Sequence, residues 1–268
     1  MSIPKPIITK EHGAWAVLFV PMIVGAAYAN SFSWNIVWLA LSALGAFLSY
    51  VPVHTLLREL IGISQGKEKR TAAEIWAAIY LGFGVLFIVP LLYQQLWLLL
   101  LIGIIGAASF FGNFLLTRKI QKSIASDLTA VAGLTLSAPS AYYVTTGMLD
   151  AKALVLWLLN VLFFGCSVFY VHLKIRVSGM RKDSWHLWDK LSVGWLNILY
   201  HVVVIILITM LVFYHLTPST VVLAFLPMVI HAIVGTVKLS HRVKFKNLGF
   251  MLLAHSVLFG IIFVLMRK

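Results

Sequence analysis

The first long apolar run of the sequence is preceded by Lys10-Glu11-His12-Gly13-Ala14-Trp15. Three consecutive ionisable side chains followed by a glycine and an indole indicate a boundary between water and lipid, because Trp favours that boundary and Gly permits close approach. A plain interfacial anchor needs Lys and Trp, but it does not need the added Glu-His pair. Both interpretations therefore stay open, and Lys10, Glu11, His12 and Trp15 are candidate ligand-binding residues.

The composition around this stretch defines the class of protein. Hydrophobic residues make up 61% of the 268 residues, charged residues make up 11%, and the mean hydropathy is +0.97. These values indicate an all-α polytopic membrane protein in which residues 1–268 form a single transmembrane domain. The net charge of +13 is confined to short loops, so a nucleic-acid partner is not expected. The single cysteine, Cys166, excludes a disulfide framework within one chain.

Apolar runs of about 20 residues predict nine transmembrane helices. The predicted spans are 13–30, 34–57, 74–93, 96–117, 127–148, 153–175, 192–215, 218–238 and 248–266. The loops on the side of the N-terminus hold all of the 21 Lys and Arg residues except Lys152, Arg267 and Lys268. This bias predicts a protein of the cell membrane with a cytoplasmic N-terminus and an external C-terminus.

Histidines are the main ionisable residues inside the predicted spans, whereas all eight acidic residues lie at or near span ends. A carboxylate path for ions through the bilayer centre is therefore not expected, which weighs against a transporter. Five histidines lie in the cytoplasmic half of five different spans: His54, His172, His201, His231 and His255. They predict a polar cavity open to the cytoplasm. The other interpretation is that each histidine only joins two helices.

Basic residues surround the predicted mouth of this cavity. They are Arg58, Arg118, Lys119, Lys122, Lys174 and Arg176. One interpretation is the charge bias of cytoplasmic loops together with attraction to anionic lipid. The other is a clamp for an anionic head group, because Arg makes bidentate contacts and Lys makes point-charge contacts with phosphate or carboxylate.

Three stretches resemble the YwiC-like membrane protein family. They are the opening hexapeptide with Pro21, the run from Ser126-Asp127 to Gly133 that closes with Thr146-Gly147, and Tyr170-Val171-His172 leading to Arg176. The resemblance covers most of the chain, and the hexapeptide is its most specific part. It implies membership of a membrane-protein family without implying a reaction.

The chain is more distantly similar to the UbiA-type intramembrane prenyltransferase superfamily. That resemblance implies nine helices and a cytoplasmic active site, with Asp-rich motifs at the ends of helices two and six that bind Mg²⁺ and diphosphate. This chain instead has the stretches from Val53-His54 to Arg58-Glu59 and from Tyr170 to Arg176 at those positions. His and Arg do not supply the hard oxygen ligands that Mg²⁺ needs, so magnesium-dependent prenyl transfer is not expected.

Three functions remain open from the sequence. The first is binding, or enzymatic conversion, of a lipophilic molecule with an anionic head group, without a metal. Its predicted binding residues are Lys10, Glu11, His12, Trp15, His54, Arg58, Arg118, Lys119, Lys122, Asp127, Tyr170, His172 and Arg176. The second is haem handling, with His201, His231 and His255 as candidate axial ligands. The third is a transporter or a structural membrane subunit.

Overall fold

The computed structural model describes residues 4–9, 12–63, 66–119, 123–180 and 185–265, and for His12, Arg118 and Lys119 it describes the backbone only. These ranges contain ten helices and no strand. The helices are α1 (His12–Tyr28), α2 (Asn35–Leu60), α3 (Lys67–Tyr93), α4 (Leu98–Lys119), α5 (Ile124–Leu134), α6 (Ser137–Thr146), α7 (Ala151–Ser178), α8 (Leu187–Phe213), α9 (Val221–Val237) and α10 (Phe245–Leu265). The predicted all-α class is confirmed for this part of the chain.

The fifth predicted span, 127–148, is two helices rather than one. Helix α5 ends at Leu134 and α6 begins at Ser137. The cause is Pro139, which has no N–H for an i→i−4 bond and whose ring would clash with the carbonyl of Thr135. The carbonyl oxygen of Thr135 instead accepts from the N–H of Ala138 at 3.0 Å. The single span predicted for 127–148 is therefore divided into two helices, with the break at residues 135–136.

Six of the described helices are long and apolar enough to cross a membrane: α2, α3, α4, α7, α8 and α10. Helices α1 and α9 are apolar but have only 17 residues each. The chain therefore has the architecture of a polytopic membrane protein, although a count of nine membrane-spanning helices is not confirmed.

Helices α1 and α7 form the centre of the bundle. Helix α1 packs against α5, α6, α7 and α10, while α7 packs against α5, α6, α8 and α9. Aromatic rings fill the space between α7, α9 and α10, where the Phe163 and Phe259 rings stack at 3.9 Å between centroids and Phe225 meets both edge-on. Burial of these rings determines which side of α7 packs against α9.

The bundle has two chemically different ends. Helices α2, α4, α7 and α9 finish at one end, and α1, α3, α5, α8 and α10 begin there. Every described Lys and Arg except Lys152 lies toward this end, which we call the basic end. The other end, which we call the opposite end, contains the start of α7 with Lys152.

Candidate functional site

A hydrogen bond between two side chains joins α5 to α7 at the basic end. The Nε2 atom of His172 lies 2.9 Å from Oδ2 of Asp127, and the two side chains are 19% and 35% exposed. Asp127 lies in the first turn of α5, where the helix dipole favours a carboxylate. An ionised carboxylate only accepts hydrogen bonds, so Nε2 of His172 carries the hydrogen and Nδ1 remains for another partner.

Next to this pair along α5, a set of hydrogen bonds reaches α2. The amide nitrogen of Asn113 donates to the carbonyl oxygen of Ser126 at 2.6 Å, and the hydroxyl of Tyr50 donates to Oδ1 of Asn113 at 3.3 Å. Ser126 directly precedes Asp127. We call Tyr50, Asn113, Ser126, Asp127 and His172 the α2–α7 polar network. It links four helices, α2, α4, α5 and α7.

Aromatic rings line the α2–α4 side of this network. His54 stacks on Tyr50 with 6.0 Å between ring centroids and meets Phe114 edge-on at 5.4 Å. Phe110 meets the Tyr50 ring edge-on at 5.1 Å. The structure therefore connects His54 to the network through Tyr50, as part of an aromatic wall.

The other predicted residues of the basic end divide into three groups. Arg58, in the last turn of α2, and Arg176, one turn beyond His172 on α7, are exposed. Trp15 packs inward against Phe19 and Phe47, with centroid distances of 6.0 and 4.9 Å, so it joins α1 to α2. Lys10, Glu11 and Lys122 lie outside the described residues, and the structure gives no side-chain position for His12, Arg118 and Lys119.

Tyr170 lies on a different face of α7 from His172, because two residues along a helix differ by about 200°. Its ring meets His231 of α9 edge-on at 5.1 Å, and its hydroxyl abuts Gly235. Lys174 donates to the carbonyl oxygen of Gly235 at 2.9 Å and lies 5.1 Å from the centroid of the Tyr170 ring. Tyr170 and Lys174 therefore hold α7 to α9 and are not members of the α2–α7 polar network.

The three histidines predicted as haem ligands are not equivalent. The rings of His231 and His255 lie 5.0 Å apart, whereas His201 bonds through Nδ1 to the carbonyl oxygen of Asn197 at 2.7 Å. Two imidazoles on opposite faces of one iron, with bonds of about 2 Å, would have centroids about 6 Å apart. The spacing of His231 and His255 is shorter than this, and haem binding stays a prediction.

The five intramembrane histidines form separate groups of contacts rather than one cluster. His54 and His172 belong to the region of the α2–α7 polar network, His231 and His255 contact each other, and His201 contacts its own helix. None of the five lines the cavity of about 580 Å³ at the opposite end of the bundle. A shared histidine-lined cavity thus stays a prediction.

Sequence reasoning missed Tyr50 and Asn113. Asn113 is 5% exposed within the apolar run Phe110-Phe111-Gly112-Asn113-Phe114. A buried amide in a membrane helix requires a hydrogen-bonding partner, so this residue was the available signal. Its partner was not predictable, because Ser126 offers a backbone oxygen rather than a side chain.

Fold and site together define a polytopic helical membrane protein with a polar network at one end of its bundle. The chain belongs to the YwiC-like protein family, whose model matches residues 8–142, just over half of its length. The uncharacterised protein YwiC of Bacillus subtilis is 26% identical over 185 residues, which cover 69% of this chain and 73% of that relative. An uncharacterised protein of Haemophilus influenzae is 24% identical over 241 residues, or 88% of this chain and 90% of the relative. No solved structure matches the chain significantly.

Proposed function

We propose that this protein binds a lipophilic molecule with an anionic head group at the basic end, between α2, α4, α5 and α7. The observation that carries the proposal is the His172–Asp127 pair at 2.9 Å, within a polar network that crosses four apolar helices. Ionisable groups inside membrane helices are costly, and they are retained mainly where they bind or transfer something.

The head group would meet the face of α7 that carries His172 and Arg176. Asp127 holds Nε2 of His172, which orients the ring and leaves Nδ1 to donate to an anion when the imidazole is protonated. Arg176 lies four residues further along α7 and therefore on the same side of the helix. Within the described residues it has no ion-pair partner, so its guanidinium is available for a bidentate contact.

The apolar part of the ligand would lie along the aromatic wall formed by Tyr50, His54, Phe110 and Phe114. Such pockets combine apolar walls with a few polar groups that fix the orientation of the ligand. The positive bias supports a cytoplasmic location for this end, in the manner of the UbiA-type superfamily. We expect no dependence on Mg²⁺, since His54 and His172 stand where that superfamily has Asp-rich motifs.

Binding of dodecyl phosphate to the purified protein in a neutral detergent tests the proposal. Native mass spectrometry measures the affinity, with dodecanol as the neutral analogue. Arg176→Gln and His172→Gln should each weaken binding of dodecyl phosphate about tenfold, because each removes one charge-assisted contact. Binding of dodecanol should not change.

Lys246→Gln is the matched control, because Lys246 is an exposed cation of the basic end on α10, which packs on α1 and α9. Its affinity for dodecyl phosphate should equal that of the wild type. Equal losses for dodecyl phosphate and dodecanol in Arg176→Gln would show that the substitution damages packing, and the proposal would then be withdrawn.

A further inference from the structure

A surface cavity lies at the opposite end of the bundle, away from the proposed site. It has a volume of about 580 Å³ and is lined by the end of α1, the start of α7, the end of α8 and the loop that follows α8. Volumes of this size are typical of sites for small molecules. The α2–α7 polar network contributes no residue to it.

The lining of this cavity is amphipathic. Its interior includes Leu156 and Leu159, which are 2% and 1% exposed. Its rim includes Asn30, Lys152, His215 and Ser219, which are all exposed. An apolar interior below a polar rim fits a molecule that has a hydrocarbon chain and a polar head.

Lys152 gives the rim of the cavity a positively charged side chain. It is the one Lys or Arg at the opposite end among the described residues, so the charge bias that explains the basic end does not explain it. It also lies in the first turn of α7, where the helix dipole disfavours a cation. At an exposed position this effect is worth about 0.3–1 kcal/mol, and the carboxylate of Asp150, the N-cap of α7, offsets part of it.

Asp150, the acidic neighbour of Lys152, accepts hydrogen bonds from other donors. The Oδ1 atom of Asp150 accepts from the backbone N–H groups of Lys152 and Ala153, at 3.0 and 3.2 Å, and Oδ2 accepts from the hydroxyl of Tyr142 at 3.2 Å. Within the described residues no ion pair joins Asp150 to the ammonium of Lys152. The carboxylate is occupied as the N-cap of α7, and the ammonium remains free for a ligand.

His215 provides a second nitrogen group at the same rim. It ends the turn after α8 with φ 55°, a left-handed conformation that costs free energy for a residue with a side chain. Asn30, across the cavity, has a similar φ of 54°. The side chains of Lys152 and His215 have no hydrogen-bonding partner in the described part of the chain, although both line one cavity.

We propose that this cavity binds an amphiphile with one anionic head group, which Lys152 and His215 contact, and a hydrocarbon chain that lies along Val155, Leu159 and Val212. The shared chemistry is a phosphate or carboxylate on an alkyl chain, which either a bilayer lipid or a free amphiphile supplies. This site is independent of the proposed function, because its residues lie at the other end of the bundle.

The number of dodecyl phosphate molecules bound to the purified protein in neutral detergent tests this proposal. Lys152→Met keeps the length of the side chain but removes the charge, so it should weaken one bound dodecyl phosphate about tenfold or more. Val155→Trp fills the interior and should abolish the same binding event while Lys152 is unchanged. Lys67→Met, an exposed cation at the basic end, is the matched control and should bind as the wild type does.

Three further measurements separate the alternatives. Inorganic phosphate should bind at least tenfold more weakly than dodecyl phosphate, and equal affinities would reduce the site to a simple anion site and overturn the proposal. Unchanged affinity in Lys152→Met would overturn it as well. Protein in nanodiscs made of both phosphatidylglycerol and phosphatidylcholine provides the last comparison. Preferential retention of phosphatidylglycerol by the protein would indicate that the ligand is a bilayer lipid, while retention of neither lipid would indicate a free amphiphile. If Arg176→Gln loses this bound dodecyl phosphate and Lys152→Met keeps it, the molecule binds at the basic end, and that result would also contradict the proposal.

Discussion

At the scale of single residues, the contact between Asp127 and His172 is the most important for the proposed site. Both side chains are partly buried at the junction of α5 and α7, and their atoms lie 2.9 Å apart. A fully exposed pair contributes little to stability because water screens it, whereas a partly buried pair is screened less. The pair therefore positions the imidazole and also ties the two helices together.

A double-mutant cycle measures this coupling. Asp127→Asn and His172→Gln should each lower the free energy of unfolding by about 1 kcal/mol. The double variant should lose clearly less than the sum of the two, because the same interaction is removed twice. Thermal unfolding in detergent provides the measurement. Arg242→Gln, an exposed cation in the loop between α9 and α10, should have no effect. Additive losses would mean that the two side chains act independently.

At the scale of elements, the hairpin of α2 and α3 depends on glycine contacts between the two backbones. A methyl group added to Gly45 would lie 2.6 Å from the backbone nitrogen of Gly84 and 2.7 Å from the carbonyl oxygen of Tyr80. The hydroxyl of Ser42 adds a hydrogen bond to the carbonyl oxygen of Gly84 at 2.9 Å. Close approach of small residues is a main source of helix association in lipid.

Gly45→Ala should therefore separate α2 from α3 and destabilise the protein by about 1–3 kcal/mol, as overpacking of a tight contact does. The matched control is Gly82→Ala on α3, where nothing lies within 4 Å of the added methyl group. That variant should be neutral or slightly stabilising, since Ala favours a helix more than Gly does. Comparison of the two unfolding midpoints checks the prediction, and a harmless Gly45→Ala would contradict the close packing.

At the scale of the whole molecule, the segregation of charge predicts the orientation in the membrane. The described Lys and Arg residues, apart from Lys152, lie toward the basic end, and the positive-inside rule predicts a cytoplasmic location for that end. Labelling of introduced cysteines can test this orientation, because the single native cysteine, Cys166, is buried. Background reaction with thiol reagents should therefore be low.

Cysteine introduced at Gln95, at the opposite end, should react in intact cells with a membrane-impermeant maleimide. Cysteine introduced at Glu68, at the basic end, should react only after the cells are permeabilised. Both positions lie at exposed helix ends, so accessibility within the protein does not differ greatly. The reverse pattern would invert the orientation and move the proposed head-group site to the external face.

The sequence predicted the helical class and most helix positions, because apolar runs as long as a bilayer is thick are a local property of the chain. Eight of the nine predicted spans match one helix each, and the exception has a local cause in Pro139. The resemblance in the opening hexapeptide and in Ser126-Asp127 likewise indicated the YwiC-like family, whose model matches residues 8–142. The sequence also marked Asp127 and His172 as candidates.

Only the tertiary structure decided which polar residues meet. The sequence grouped Tyr170 with His172, but rotation about α7 turns Tyr170 toward His231 and His172 toward Asp127. It gave no sign that Asn113 would bond to the backbone of Ser126, or that Lys152 and His215 would line one cavity. Such pairings depend on how each helix is rotated against its neighbours. In lipid that rotation is set by close packing, as at Gly45 and Gly84, because an apolar run can face lipid on any side.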